Sequence, residues 1–145
     1  MLYLAIDLGD QRTGLATGDD AIGLVTPVGV LTVPRGPRLL DALLGAIADH
    51  RPDALILGLP LNMDDSEGPQ AKKVRAFGAD LHARAGLPVH YQDERLTSYA
   101  ADQQMARSGR THRQKKNLRD ALAAVHILED FLRAPTPAPD EGDDP

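Results

Sequence analysis

Leu2-Tyr3-Leu4-Ala5-Ile6-Asp7-Leu8-Gly9-Asp10-Gln11-Arg12-Thr13-Gly14-Leu15-Ala16-Thr17-Gly18 is the stretch whose reading decides the fold. Its first half is an apolar run that predicts a buried strand. Asp7 is the one charge inside that run, and an isolated carboxylate there is costly unless it is paired or holds a metal ion. Gly9 and Gly14 bracket the polar Asp10-Gln11-Arg12-Thr13, so a tight turn is predicted to return the chain antiparallel to the first strand. Asp7 would then stand at the open end of a central strand, where a functional site is expected.

Working outward, Ile22 to Val33 reads as a third strand, with Pro27 suited to an edge or a bulge. Leu39, Leu40, Leu43, Leu44 and Ile47 recur at helical spacing, and Arg51-Pro52 ends that helix. Ala54-Leu55-Ile56-Leu57-Gly58-Leu59 is wholly apolar, as a parallel strand covered on both faces is. A second helix is predicted from Gly68-Pro69 to Ala85, closed by Gly86, and Pro88 to Gln92 is the fifth strand. Thr97 or Ser98 can cap a further helix ended by Gly109. A basic loop from Arg107 to Arg119 follows, and then a last helix with Leu118, Ala121, Leu122, Val125, Leu128 and Leu132 on one stripe. Three antiparallel strands followed by βαβ units make an α/β fold, a five-stranded mixed sheet flanked by helices in the order of a ribonuclease-H-like fold.

Composition bounds the chemistry. The 145 residues suit one domain over 1–134, followed by an acidic, Pro-rich tail over 135–145 with too little apolar surface to order itself. Cys is absent, which excludes disulfides, thiolate metal sites and Cys nucleophiles, and fits a cytoplasmic location. Aromatic residues are only 3 %, so stacking platforms for single-stranded bases are not expected as the main binding mode. No signal peptide or membrane span is expected. The formal charge of −5 is uneven: the tail carries four carboxylates and no cation, which leaves the body near −1. Within that body Arg107, Arg110, Arg113, Lys115, Lys116 and Arg119 make a local basic patch of the kind phosphate binding needs. No paired His spacing, nucleophile elbow or phosphate loop appears, which sets aside zinc enzymes, serine hydrolases and P-loop hydrolases.

Cleaving a phosphodiester requires stabilisation of an attacking and a leaving oxygen, which two divalent cations provide when carboxylates hold them. Three places have the right setting. Asp7 is one. The Asp93-Glu94 pair at the end of the fifth strand is the second, and alternation lets only one of the two face Asp7 without saying which. Asp120, near the start of the last helix, is the third; Ala121, Ala123 and Ala124 beside it would let the helix approach the sheet closely.

The segments Asp7 to Ala16, Gly58 to Gln70, Asp93 to Ser98 and Lys116 to Ala124, in that order, resemble the YqgF family, also called RuvX, of Holliday junction resolvases and pre-16S rRNA nucleases. The resemblance runs from Asp7 to about Leu132. It implies a ribonuclease-H-like fold and an acidic site on Asp7, Glu94 and Asp120, and so favours Glu94 over Asp93. Asp65 departs from the family, whose members usually have Gly there, in a loop where positive φ is expected.

The function expected is a metal-dependent nuclease acting on structured RNA, as in pre-16S rRNA processing, or on branched DNA. Asp7, Glu94 and Asp120 would bind Mg²⁺ or Mn²⁺. Arg12, Arg95, Arg113, Lys115 and Lys116 are the candidates for phosphate contacts, with Asn62 and Ser66 as polar contacts near the site. Cutting a four-way junction symmetrically calls for a homodimer, whereas trimming RNA does not. Two other classes remain: a non-catalytic nucleic-acid-binding module in ribosome assembly or processing, and a nucleotide phosphotransferase of the actin and sugar-kinase type. The first is opposed by the cluster of carboxylates, the second by a chain with room for only one of the two domains it needs.

Overall fold

The computed structural model describes residues 1–94 and 112–133, with side chains described for 1–94 and 121–133. The elements are β1 (Leu2–Asp7), β2 (Thr13–Asp19), β3 (Val25–Leu31), α1 (Pro37–His50), β4 (Ala54–Leu59), α2 (Pro69–Ala85), β5 (Val89–Asp93) and α3 (His112–Arg133). They form a five-stranded sheet in the order β3-β2-β1-β4-β5. β1 and β2, and β2 and β3, are antiparallel; β4 runs parallel to both β1 and β5. β1 is thus central, as its apolar run predicts, and the mixed sheet of the sequence reading is present.

Local chemistry sets the boundaries. A side chain at Gly9 would collide with the Arg12 carbonyl oxygen, so the β1–β2 turn closes only around glycine. β3 is an edge strand with a bulge opposite Leu15 and Ala16, next to Pro27. Pro37 and Pro69 open α1 and α2, where a missing N–H costs nothing. Arg51 takes the left-handed conformation that ends α1, and Gly86 does the same for α2.

Strand alternation divides the core in two. Leu4 and Ile6 of β1 and Leu55, Leu57 and Leu59 of β4 pack with Leu39 and Leu43 of α1 and Val74, Phe77 and Leu81 of α2. On the other face Tyr3, Ala5, Ala16, Ala54 and Ile56 meet Ala124, Val125, Ile127, Leu128 and Phe131 of α3. The small residues Ala5, Ala16 and Ala124 let α3 lie close to the sheet.

Two expectations change. The last helix begins at His112, so Arg113, Lys115 and Lys116 lie in its first turns and the basic segment from 112 onward is not a loop. The apolar stripe starts only at Leu118, which is why periodicity alone placed the start too late; no Gly or Pro in 112–119 interrupts a helix. Asp120 is consequently the ninth helical residue, beyond the first turn where a helix dipole favours carboxylates. The helix expected to be capped by Thr97 or Ser98, Arg95, the basic residues Arg107 and Arg110, and the tail lie outside the described residues.

Candidate active site

The site is built at the carboxyl-terminal ends of β1 and β4 and the exit of β5, on the face covered by α3. Tyr3 and Ala5 point to α3, so alternation puts Asp7 on the same face. β5 pairs with β4 with Asp93 opposite Leu59 and Gln92 opposite Gly58. His90, on the α3 side with its ring 5.2 Å from Phe131, has the parity of Glu94. Glu94 therefore shares the face of Asp7, and Asp93 has the parity of Val89, which packs on the α1 and α2 side. The tie that alternation alone left open is broken by register.

Glu94 has a seat. Its backbone N–H donates to the Leu59 carbonyl at 3.2 Å. A Cβ on Gly58 would lie 2.5 Å from both Glu94 Oε2 and Ile127 Cδ1, so the carboxyl occupies the space that glycine leaves between β4 and α3. Desolvation there pushes the Glu94 pKa up from 4.5 to about 9; the charge of Asp7, a hydrogen bond with Asp7 and the charge of Asp93 act in the same direction. Two carboxyl groups in contact in a poorly solvated place cannot both stay ionised, so at neutral pH the pair holds one proton.

Arg35 is the opposing charge, and the sequence reading missed it. It pulls the Glu94 pKa down, against the larger effects of burial and Asp7. Its Nη2 donates to the Leu8 carbonyl at 3.3 Å and lies 3.8 Å from Asp10 Oδ1, and its backbone N–H donates to the Asp10 carbonyl at 3.0 Å. Among the described residues, Nε and Nη1 are buried without a hydrogen-bond partner. A lone Arg between Pro34 and Gly36 carries no motif, and the pairing of β3 beside β2 brings it to the Leu8 carbonyl and Asp10.

The loop after β4 is the other part. Leu61 and Glu67 form an isolated antiparallel bridge, and Asp65 sits at φ 70°, the left-handed conformation expected at that position. Asp tolerates it better than most residues, so the departure from Gly leaves the turn intact. Asn62 and Ser66, expected as substrate contacts, bond within the turn: Asn62 Nδ2 donates to Ser66 Oγ at 3.0 Å, and Ser66 Oγ donates to Asp64 Oδ1 at 2.5 Å.

Asp7 and Glu94 are hard oxygen donors held together, a set that suits a divalent cation better than two bare charges suit each other. Among the described residues no group of three Asp, Glu or His side chains gathers. Asp120 occupies the helical position one turn before Ala124 and two before Ile127, at the head of the stripe that meets the sheet. Arg12 lies in the β1–β2 turn, three residues past Gly9.

A family model described as RuvX, Holliday junction resolvase, matches residues 1–134. A protein of Opitutus terrae provisionally named a pre-16S rRNA nuclease is 41 % identical over 142 residues, 96 % of this chain and 97 % of that one. Another so named, from Anaeromyxobacter dehalogenans, is 41 % identical over 93 % of this chain and all of its own. Among solved structures, Thermus thermophilus RuvC in complex with a Holliday junction substrate superposes with a TM-score of 0.60 at 18 % identity, over 94 % of this chain and 98 % of that one. The fowlpox virus Holliday junction resolvase gives 0.59 at 12 % identity, over 91 % and 98 %. These two share the fold, which is the ribonuclease-H-like architecture the element order predicts.

Proposed function

The chain belongs to the RuvX family of Holliday junction resolvases, and we propose that it is a divalent-cation-dependent nuclease whose site is formed by Asp7, Glu94 and Asp120, with precursor 16S rRNA as its first substrate candidate. The observation that carries this reading is the contact between Asp7 and Glu94: two carboxylates from sequence-distant strands brought to one poorly solvated place and left sharing a proton. Burying such a pair costs stability, so it is kept for chemistry.

Mg²⁺ or Mn²⁺, when bound, supplies a polarised water and charge stabilisation for the leaving oxygen. The residues of the chain do the rest. Asp7 and Glu94, once deprotonated, would hold the cation through their carboxylate oxygens. Gly58 and Ile127 fix the Glu94 carboxyl in place. Arg35 offsets part of the negative charge that a phosphate would otherwise meet. Arg12 and Arg95, and Arg113, Lys115 and Lys116 in the first turns of α3, are the phosphate contacts that align the strand without reading its sequence.

Titrating Mn²⁺ against a labelled precursor rRNA fragment and a four-way DNA junction tests the reading. The parent should cut at least one, and Mn²⁺ should raise its melting temperature. Asp7→Asn and Glu94→Gln should fold, cut neither and lose the metal-induced shift. Equal shifts in all three proteins would show that the carboxylates do not hold the cation. Cleavage of the junction in two symmetric cuts would add a homodimer, seen as a doubled mass in sedimentation with the substrate.

A further inference from the structure

Among the described residues β5 is an outermost strand of the sheet, paired with β4, and Glu94 lies one residue past its last paired position, Asp93. The carboxyl end of an edge strand is where a sheet frays, because it has one neighbour instead of two. The Leu59 carbonyl and the gap at Gly58 relate Glu94 to β4 and α3. A separate fastening joins β5 to α2, and it is made by Tyr91, three residues before Glu94 and on the opposite face of the strand.

A Cβ on Gly78 would collide with the Tyr91 hydroxyl, so the ring reaches the helix where glycine leaves its surface open. The hydroxyl donates to the Arg75 carbonyl at 3.4 Å, and the Arg75 guanidinium lies over the ring, 4.7 Å from its centroid. Nε of the same guanidinium donates to Glu67 Oε1 at 2.7 Å, and both side chains are partly buried. That hydrogen bond holds the Glu67 carboxyl below its usual pKa, against the desolvation that would raise it, so the pair stays charged at neutral pH. Glu67 also makes the bridge to Leu61 that closes the loop after β4. One guanidinium therefore ties the exit of β4, through Glu67, to the exit of β5, through Tyr91. A planar group can do both at once, since it stacks with its face and hydrogen-bonds with its edge, whereas an ammonium has no face. The place of the Glu94 carboxyl lies between these two exits: Gly58 and Leu59 belong to the first, and Glu94 to the second.

We propose that Arg75 is a positioning residue of the nuclease: by clamping Glu67 and Tyr91 together it holds the exits of β4 and β5 at the separation that keeps the Glu94 carboxyl at Gly58, beside Asp7. The proposal rests on the nuclease reading of the Asp7–Glu94 pair. Arg75 acts through Tyr91 and the strand. The Cα atoms of Tyr91 and Glu94 are at most about 11 Å apart along the chain, so a swing of about 5° about Tyr91 moves Glu94 by about 1 Å. A displacement of that size at a reacting group costs on the order of 10²-fold in rate.

The test compares the parent with Arg75→Ala, Arg75→Lys, Tyr91→Phe, Tyr91→Leu and the double variant of Arg75→Ala with Tyr91→Leu. Three quantities are read: the Mn²⁺ concentration at half the metal-induced rise in melting temperature, the metal-free affinity for a four-way DNA junction and a precursor rRNA fragment, and the single-turnover rate at saturating substrate and Mn²⁺. Arg75→Ala and Tyr91→Leu should each raise the Mn²⁺ midpoint and lower the saturated rate by about 10–100-fold, with substrate affinity kept within about twofold. The double variant should lose no more than either change alone, because the two side chains act as one fastener. Tyr91→Phe keeps the ring and should behave as the parent does, and Arg75→Lys, with the charge but no flat face, should fall between. A purely structural role would lower melting temperatures and leave the Mn²⁺ midpoint and the saturated rate at parent values; that result overturns the proposal while the nuclease reading stands. Should Arg75→Ala fail to fold, Arg75→Lys and Tyr91→Leu decide by the same two readouts. If the parent shows neither a Mn²⁺-induced shift nor cleavage of either substrate, the nuclease reading fails and the positioning role falls with it.

Discussion

Gly58→Ala is the sharpest perturbation of this site, because its effects on stability and on turnover should part company. The added methyl would lie 2.5 Å from Glu94 Oε2 and 2.5 Å from Ile127 Cδ1, and each must retreat by roughly an ångström to restore ordinary contact. Neither obstacle is backbone, so the strand itself is not broken. Overpacking costs about 1–3 kcal/mol, and replacing a strand glycine returns about 0.4–1 kcal/mol through the unfolded state, so a net loss of about 0–2.6 kcal/mol is expected. Turnover has no such compensation. Displacing a reacting group by about 1 Å costs on the order of 10²-fold, equivalent to about 2.7 kcal/mol of barrier. The assay pairs thermal denaturation with single-turnover cleavage at saturating Mn²⁺. Adding Ile127→Val deletes the Cδ1 obstacle and should recover part of the stability but none of the rate, because Glu94 stays displaced. Parent-like cleavage by Gly58→Ala, or recovery of the rate in the double variant, would refute the idea that Gly58 exists to seat the Glu94 carboxyl.

The proton shared by Asp7 and Glu94 makes stability depend on pH. With Glu94 raised from 4.5 to about 9, the metal-free native state holds a proton that the unfolded chain releases above 4.5, so stability is fully present below that value and falls as pH rises toward 9, by at most about 1.36 kcal/mol per unit. Glu94→Gln should flatten the melting-temperature profile between pH 5.5 and 8.5; an unchanged slope would show that another group carries it. Mn²⁺ affinity should rise over the same range, since loading must expel that proton, and a flat affinity profile would contradict the shared-proton assignment. Changing Arg113, Lys115 and Lys116 together to Ala should weaken nucleic-acid binding by about 10–100-fold at moderate salt and reduce the log–log salt slope by up to about 3 units. Saturated single-turnover cleavage should change far less, and an unaltered salt slope with a collapsed rate would assign those residues to catalysis.

Much of this molecule is legible along the chain, because strand and helix periodicity are local properties. The run from Leu2 to Gly9, the glycine-closed turn and the return through Leu15 specify a central hairpin, and Asp7 stands out there because no local pattern explains a charge. The end of α1 before Arg51-Pro52 and both ends of α2, at Gly68-Pro69 and Gly86, were readable to within a residue or so. The start of α3 was not, since a basic turn carries no apolar stripe to announce it.

What the tertiary structure alone decided is which groups meet. Strand alternation alone does not tell Asp93 from Glu94, though the family resemblance favours Glu94; the register of β5 on β4 and the gap at Gly58 put Glu94 beside Asp7 and leave Asp93 on the other parity. Arg35 follows a strand that no motif marks, and it reaches the site only because β3 lies two strands from β1. Asn62 and Ser66 stand out as polar residues in sequence, and the structure shows them bonded to each other within the turn. The elements came from interactions between residues three or four apart on a helix, or two apart on a strand. The site came from contacts between residues tens of positions apart, whose encounter depends on register and packing that no local pattern encodes.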